Sequence, residues 1–401
     1  MRKKLVQEGT KWVKDGIISE EQYEQILSRY QHEKSSNLLP ILASILIGLG
    51  ILSFVASNWD GIHHLVRVAI IILSMSGFYF AGERVMKKSG HDRLGHGLIG
   101  IGVITFGAGI FLLGQMFSFQ SHSALPFIFW SIAALLAVQF WKSRYLLLLA
   151  IVITTAGQLY STTEFSSFSY ILALLLLFGI GHFIFYRPDV LTSVFFSLSF
   201  LLTGLLFVVS NELNYQYLFA IYLGLYVLSD FIKKVKIKRI IQLTMLIGAV
   251  VVTIFNVFWI ESFISYGEEA YTNGLTIYPF IVAVLLVLFV IRKRGTFDVA
   301  DGVLFLPVFY VGVMVDFLYL LLLFVYSISL LLIGYREHLT DKASLGTALF
   351  LISAFVGYIQ LAWDFMPKSM FFLIGGIVLF VLSWFLEKSR RKLVKGVAKN
   401  D

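Results

Sequence analysis

Two of the 32 Lys and Arg residues in this chain, Arg67 and Lys368, each follow a Trp-Asp pair: Trp59-Asp60 for the first and Trp363-Asp364 for the second. A cation facing a carboxylate at the edge of an apolar region can hold a polar or charged solute. The neighbouring indole suits the aromatic belt of a membrane interface. Asn58 adds an amide to the first group, and Gln115, in Gly114-Gln115-Met116-Phe117, adds another near the same side. A polar side chain in lipid is costly unless satisfied, which makes it a candidate for function. The candidate polar site is therefore Asn58, Trp59, Asp60, Arg67, Gln115, Trp363, Asp364 and Lys368. The competing reading is structural: pairs that anchor loop ends, with Arg67 snorkelling outward.

Other residue types are less productive. His63 and His64, with His122, suggest a metal, but adjacent residues project differently and the i, i+4 ligand spacing is missing. Neither metal nor cofactor is expected. Thr154, Thr155 and Gln158 lie in one apolar run, His182 late in the next and Asn256 late in another. They can line a polar path or make ordinary interhelical hydrogen bonds. Asp230, Asp298 and Asp301 stand beside basic connectors and read as paired charges. There is no GxxxxGK[ST], dinucleotide fingerprint or GxSxG. With no Cys, disulfides, cysteine-ligated zinc and thiol catalysis are excluded. A non-enzyme is expected. Few acidic residues fall at mid-membrane depth, which counts against a proton- or sodium-coupled pump.

The elements that position these residues are apolar and long. Residues are 58% hydrophobic and 14% charged, with a mean hydropathy of +0.84. A soluble domain is about 45–50% apolar and about 25% charged. A spanning helix takes about 20 mostly apolar residues. Fourteen such runs are read at 38–57, 65–82, 96–117, 124–141, 144–160, 169–186, 190–210, 214–231, 240–260, 276–291, 299–315, 317–335, 343–363 and 369–387. The stretch 299–335 is split by a hairpin at Gly312–Asp316, because one helix there would be too long and would invert everything after it.

Charge alternates across these runs. One set of connectors and ends carries 30 Lys/Arg and 16 acidic residues; the other carries only Arg67 and Lys368 against eight acids. Positive residues resist translocation. The expected fold is thus all-α and polytopic, with both termini cytoplasmic in a cell (plasma or inner) membrane. The net charge of +8 reports orientation and contact with anionic headgroups rather than nucleic-acid binding. No cleavable signal peptide is evident, and the first run reads as a signal anchor. The connectors are too short for a soluble catalytic domain.

The expected domains are a cytoplasmic N-terminal helical hairpin (1–37), a transmembrane domain (38–387) and a basic tail (388–401). In the hairpin, Gly16 suits a left-handed helix stop, and Ser19 with Gln22 forms a capping-box pattern. Two short helices bury too little to be stable alone. This piece therefore folds on the inner loops, oligomerises or docks a partner. The third run carries Gly95, Gly102 and Gly109 at seven-residue spacing, interleaved with Gly100, Gly107 and Gly114. Each set drifts only about 20° per heptad, so two bare stripes are expected to admit close neighbours on two faces.

These pieces resemble a known family. Trp12, Gly16-Ile17-Ile18-Ser19 and Gln22, then a Gly- and Leu-rich first run, Ala56-Ser57-Asn58-Trp59 and Gly114-Gln115-Met116-Phe117 are similar to bacterial predicted membrane proteins carrying domain of unknown function 2157. The resemblance covers roughly residues 5–140. It implies a bacterial, polytopic inner-membrane protein with no assigned activity, and it supplies no catalytic residues. The expected function is movement or binding of a small or lipid-like, envelope-related solute. The alternative is a sensor or scaffold whose N-terminal hairpin docks a partner.

Overall fold

The computed structural model describes residues 9, 12–13, 15–29, 46, 50, 53, 62–89, 92–117, 123–266, 277–294, 296–311, 314–362, 369–370, 372–377 and 379–384. Among them there are helices and no strands. The chain forms two compact units, residues 1–119 and 120–401.

The first unit opens with α1 (Glu20–Arg29). Gly16 stops the preceding turn at φ +72°, returning its N–H to Val13 O at 3.2 Å. Ser19 and Gln22 then form the reciprocal capping box: the Gln22 N–H donates to Ser19 Oγ (3.2 Å) and the Ser19 N–H to Gln22 Oε1 (3.0 Å). A side chain on the buried Gly9 would strike the Tyr23 ring, so the two arms approach closely.

Next come α2 (His64–Ser89) and α3 (Asp92–Met116), an antiparallel pair. The first glycine stripe is their seam. A methyl group on Gly82 would lie 2.8 Å from the Gly95 carbonyl oxygen, one on Gly102 would lie 3.0 Å from the Tyr79 ring, and one on Gly109 would lie 2.7 Å from Ile71. In lipid no hydrophobic force joins helices, so such backbone approach supplies the contact energy. In the second stripe Gly100 and Gly107 are buried and Gly114 half-buried.

The second unit begins with α4 (Leu125–Trp141) and α5 (Arg144–Phe165), joined by a tight turn in which Lys142 takes a left-handed conformation. In α6 (Tyr170–Tyr186) a π-helical stretch runs from Leu175 to Ile180. Then follow α7 (Val190–Ser210), capped by Asp189, and α8 (Tyr217–Leu228), which tightens into a 3-10 turn at Ser229–Phe231. The bundle is completed by α9 (Val235–Tyr266), α10 (Tyr278–Lys293), α11 (Val315–Arg336) and α12 (Thr340–Ala362). α8, α9 and α11 pack on one another or on the 3-10 segment between α10 and α11.

That segment corrects one expectation. The run 299–315 is not an α-helix but two 3-10 pieces, Phe297–Phe305 and Val308–Val311. Pro307 disfavours helical backbone at the residue before it, and Leu306 is extended at φ −65°, ψ 131°. The segment nonetheless lies along α10 over its whole length. Asp298 is near Lys293 at one end, and the Tyr310 ring stacks 6.2 Å from Tyr278 at the other. A 3-10 helix rises about 2.0 Å per residue against about 1.5 Å in an α-helix, so fewer residues cover the same distance. The chain then reverses near the expected hairpin and returns as α11.

Among the described residues seven helices are long and apolar enough to cross a membrane: His64–Lys88, Asp92–Met116, Arg144–Phe165, Val190–Ser210, Val235–Ile260, Val315–Arg336 and Thr340–Ala362. Shorter apolar helices are Leu125–Trp141, Tyr170–Tyr186, Tyr217–Phe231 and Phe372–Trp384. The expected run 38–57 and the tail 388–401 lie outside the described residues, apart from isolated positions.

Candidate functional site

The outer polar group foreseen from sequence is only partly visible. Asn58, Trp59, Asp60, His122, Trp363, Asp364 and Lys368 lie outside the described residues. Arg67 is buried, and its Nε donates to the Ile62 carbonyl at 2.6 Å, tying the start of α2 to the preceding turn. His63 Nδ1 accepts the Leu65 N–H at 3.4 Å beside the same helix start. Gln115 is exposed on the last turn of α3.

Two threonines of the middle helices make interhelical bonds. Thr154 donates to Ser131 of α4 at 3.2 Å, and Thr155 meets Ser199 of α7. Gln158 is buried. His182 packs its ring 4.5 Å from that of Tyr186. Asn256 belongs to another group: its Oδ1 accepts from Gln216 Nε2 at 2.9 Å, while Tyr319 donates to Gln216 Oε1 at 2.5 Å. This amide–phenol network joins α9, α11 and the start of α8, and all three side chains are buried.

The principal site lies toward the opposite end of the same helices. Asp301, in the first 3-10 piece, is 7% exposed. Its Oδ2 accepts the Tyr226 hydroxyl of α8 at 2.6 Å, and its Oδ1 accepts the Tyr326 hydroxyl from the middle of α11 at 3.2 Å. Both tyrosines are fully buried. Among the described residues the two oxygens of Asp301 are bonded by hydroxyls and not by a cation.

The cations are one layer away. Lys293, at the end of α10 and 2% exposed, places Nζ 3.0 Å from Asp230 Oδ1, 3.8 Å from Asp298 Oδ2 and 5.1 Å above the Tyr226 ring. Lys342 of α12 bonds Asp298 Oδ1 at 2.8 Å, and Lys238 of α9 stands 3.5 Å from Asp230 Oδ1. Gln242 donates a further bond to Asp230 Oδ1 at 2.9 Å. Asp230 Oδ2 is buried with no hydrogen-bond partner. Burying charge is costly unless it is paired and hydrogen-bonded. These elements meet that condition jointly: three carboxylates (Asp230, Asp298, Asp301) face three ammoniums (Lys238, Lys293, Lys342).

Sequence reasoning placed Asp230 and Asp298 correctly as paired charges and misjudged Asp301. The reason is the helix type. In a 3-10 helix residues i and i+3 eclipse, so Asp301 lies directly behind Asp298, about 6 Å deeper at 2.0 Å per residue. Asp298 therefore meets the lysines and Asp301 meets the phenols. A buried carboxylate thus stands near the start of a run that had been read as membrane-spanning. The available signal was its position two residues into that run. Lys293 was marked only as one of the basic connector Arg292-Lys293-Arg294, and Tyr226 and Tyr326 had no local pattern to mark them.

No curated protein and no solved structure matches the chain. Residues 10–147 match the family described as predicted membrane protein (DUF2157), which bears out the resemblance over the N-terminal part and leaves the Asp301 cluster beyond the matched region.

Proposed function

We propose that this protein is a non-enzymatic membrane carrier that moves or binds a small or lipid-like, envelope-related solute, with the Asp301 cluster as its working site. The reading includes a bacterial cell membrane, about fourteen crossings and both termini cytoplasmic, as the alternation of basic connectors implies. The observation that carries it is the carboxylate of Asp301, buried between two phenols and in line with a buried Asp–Lys chain. An ionisable group at such a place is expensive in lipid, and pathways and relays are where such groups are found. Full-length protein in liposomes, offered a panel of ions, small solutes and lipid precursors, is expected to move one class, and Asp301→Asn to lose that movement. Failure to move any class abandons the reading.

A second reading is supported by the N-terminal hairpin, whose capping box sets a defined turn while Ile17 stays 67% exposed. There the hairpin docks a partner or a second copy. Deleting residues 1–36 then removes a crosslinked partner while the membrane part stays folded; unchanged crosslinks sink this reading.

A further inference from the structure

The charge balance of the cluster turns on one proton. The groups facing Asp301 are Tyr226 from α8, Tyr326 from α11 and Asp298 one 3-10 turn nearer the rim. Behind them stand Lys293 of α10, Lys342 of α12, Asp230 after α8 and Lys238 of α9. With Asp301 ionised, three carboxylates and three ammoniums sum to zero. The ammoniums are nevertheless spent on Asp230 and Asp298, and among the described residues Asp301 is hydrogen-bonded by hydroxyls alone. The three lysines also differ in burial. The side chains of Lys293 and Lys342 are 3% and 15% exposed, with nearest carboxylate oxygens at 3.0 and 2.8 Å, whereas that of Lys238 is 30% exposed and its carboxylate oxygen stands at 3.5 Å.

A second neutral arrangement follows. If Asp301 is protonated and Lys238 turns to water, the remaining set is Asp230 and Asp298 with Lys293 and Lys342, again balanced. The two arrangements differ by one proton, and neither leaves a bare charge in the low-dielectric interior. The phenols fit both. A hydroxyl donates to a carboxylate and equally accepts from a carboxylic acid, so Asp301 keeps its hydrogen bonds in either state. The Tyr326 side, with its longer 3.2 Å bond, accommodates the acid O–H, while Tyr226 continues to donate to Oδ2.

Resting on the carrier reading, we propose that Asp301 is a proton-binding site, so that the solute moves with or against protons. The step is a proton transfer only: a proton from the aqueous phase at the Lys238 end forms an O–H bond on Asp301 Oδ1, and Lys238 leaves Asp230 for water. Release reverses both movements, and no electrons are exchanged.

Infrared difference spectra of the full-length protein in lipid nanodiscs, acid minus alkaline, test this without any solute. Wild type is expected to give a protonated-carboxyl C=O band on acidification that moves down in deuterated water. Asp301→Asn is expected to lose it, and Asp341→Asn, at an exposed surface carboxylate, to keep it. Tyr226→Phe keeps the ring under Lys293 and removes one donor from the C=O, so the same band shifts to higher frequency. This variant decides the matter even if Asp301→Asn fails to fold. Absence of the band, or a band unchanged in Asp301→Asn or in Tyr226→Phe, overturns the proposal. If the liposomes move nothing while the band behaves as stated, the carrier reading fails and the proton site stands.

Discussion

The α2–α3 pair of the first unit and the α8–α11 region of the second hold helices together in lipid by different means. In the pair, contact is backbone against backbone, Gly82 against Gly95, with Tyr79 and Ile71 filling the bare stripe above Gly102 and Gly109. No buried ion pair takes part among its described residues. In the second unit glycine contacts also occur, at Gly334 against Ala343 and Gly346 against Leu331. There, however, an Asp–Lys chain and two tyrosine-bonded networks run through the interior. Shape-based packing needs nothing from water and has a single charge state. Charge-based packing can be rearranged by a proton or a solute, at a high cost if one partner is missing. On the proposed reading, the first arrangement is static structure and the second is where the chemistry is done.

The largest effect expected from breaking this contrast is at Lys293. Lys293→Ala removes the nearer and more deeply buried of the two ammoniums on Asp230 and leaves it only the half-buried Lys238 at 3.5 Å, a loss of up to about 3–5 kcal/mol. Thermal unfolding in detergent measures it, and the double variant Lys293→Met with Asp230→Asn is expected to recover much of the loss because the orphaned charge goes too. If the single variant proves as stable as wild type, the chain of charges is not part of the folded interior.

In the α2–α3 pair the corresponding substitution is Gly82→Leu. The obstacle is the Gly95 carbonyl oxygen, 2.8 Å from the added carbon, and backbone cannot step aside as a flexible side chain does. Overpacking of this kind costs about 1–3 kcal/mol. The same unfolding assay should place it below Lys293→Ala, with no dependence on pH. A pH-dependent effect would remove the distinction between the two arrangements.

What was legible in the sequence follows the same division. A glycine every seven residues lands on one helix face whatever the partner is, so the seam at Gly95, Gly102 and Gly109 could be read before any neighbour was known. Gly16, Ser19 and Gln22 were legible because caps are local. Asp301 was not. Whether an acid near a basic connector meets a lysine depends on the turn it occupies, and 299–315 has the composition of an α-helix while the pieces on either side of Leu306-Pro307 adopt 3-10 geometry. The partners Tyr226 and Tyr326 come from helices distant in sequence, where Tyr is unremarkable. The outer group at Trp59-Asp60 and Trp363-Asp364 drew attention because its charges break a rule. The charges of the Asp301 cluster follow that rule and so drew none.

The smallest effect is expected at the far network. Gln216, Asn256 and Tyr319 are uncharged and hydrogen-bonded to one another, and Asn256 Nδ2 also donates to Val252 O at 2.9 Å. Polar bonds between helices in lipid average about 0.6 kcal/mol, because the separated helices find other partners. Asn256→Ala should therefore lower stability by about that amount, and it should leave the acid-induced carboxyl band of Asp301 in place. Between the two networks, about 15 Å apart along α8 at 1.5 Å per residue, lie the buried Phe219, Leu223, Leu320 and Leu323. A change at Asn256 that altered the Asp301 band would mean these apolar layers transmit the state of one network to the other. The two groups would then be the ends of a single path.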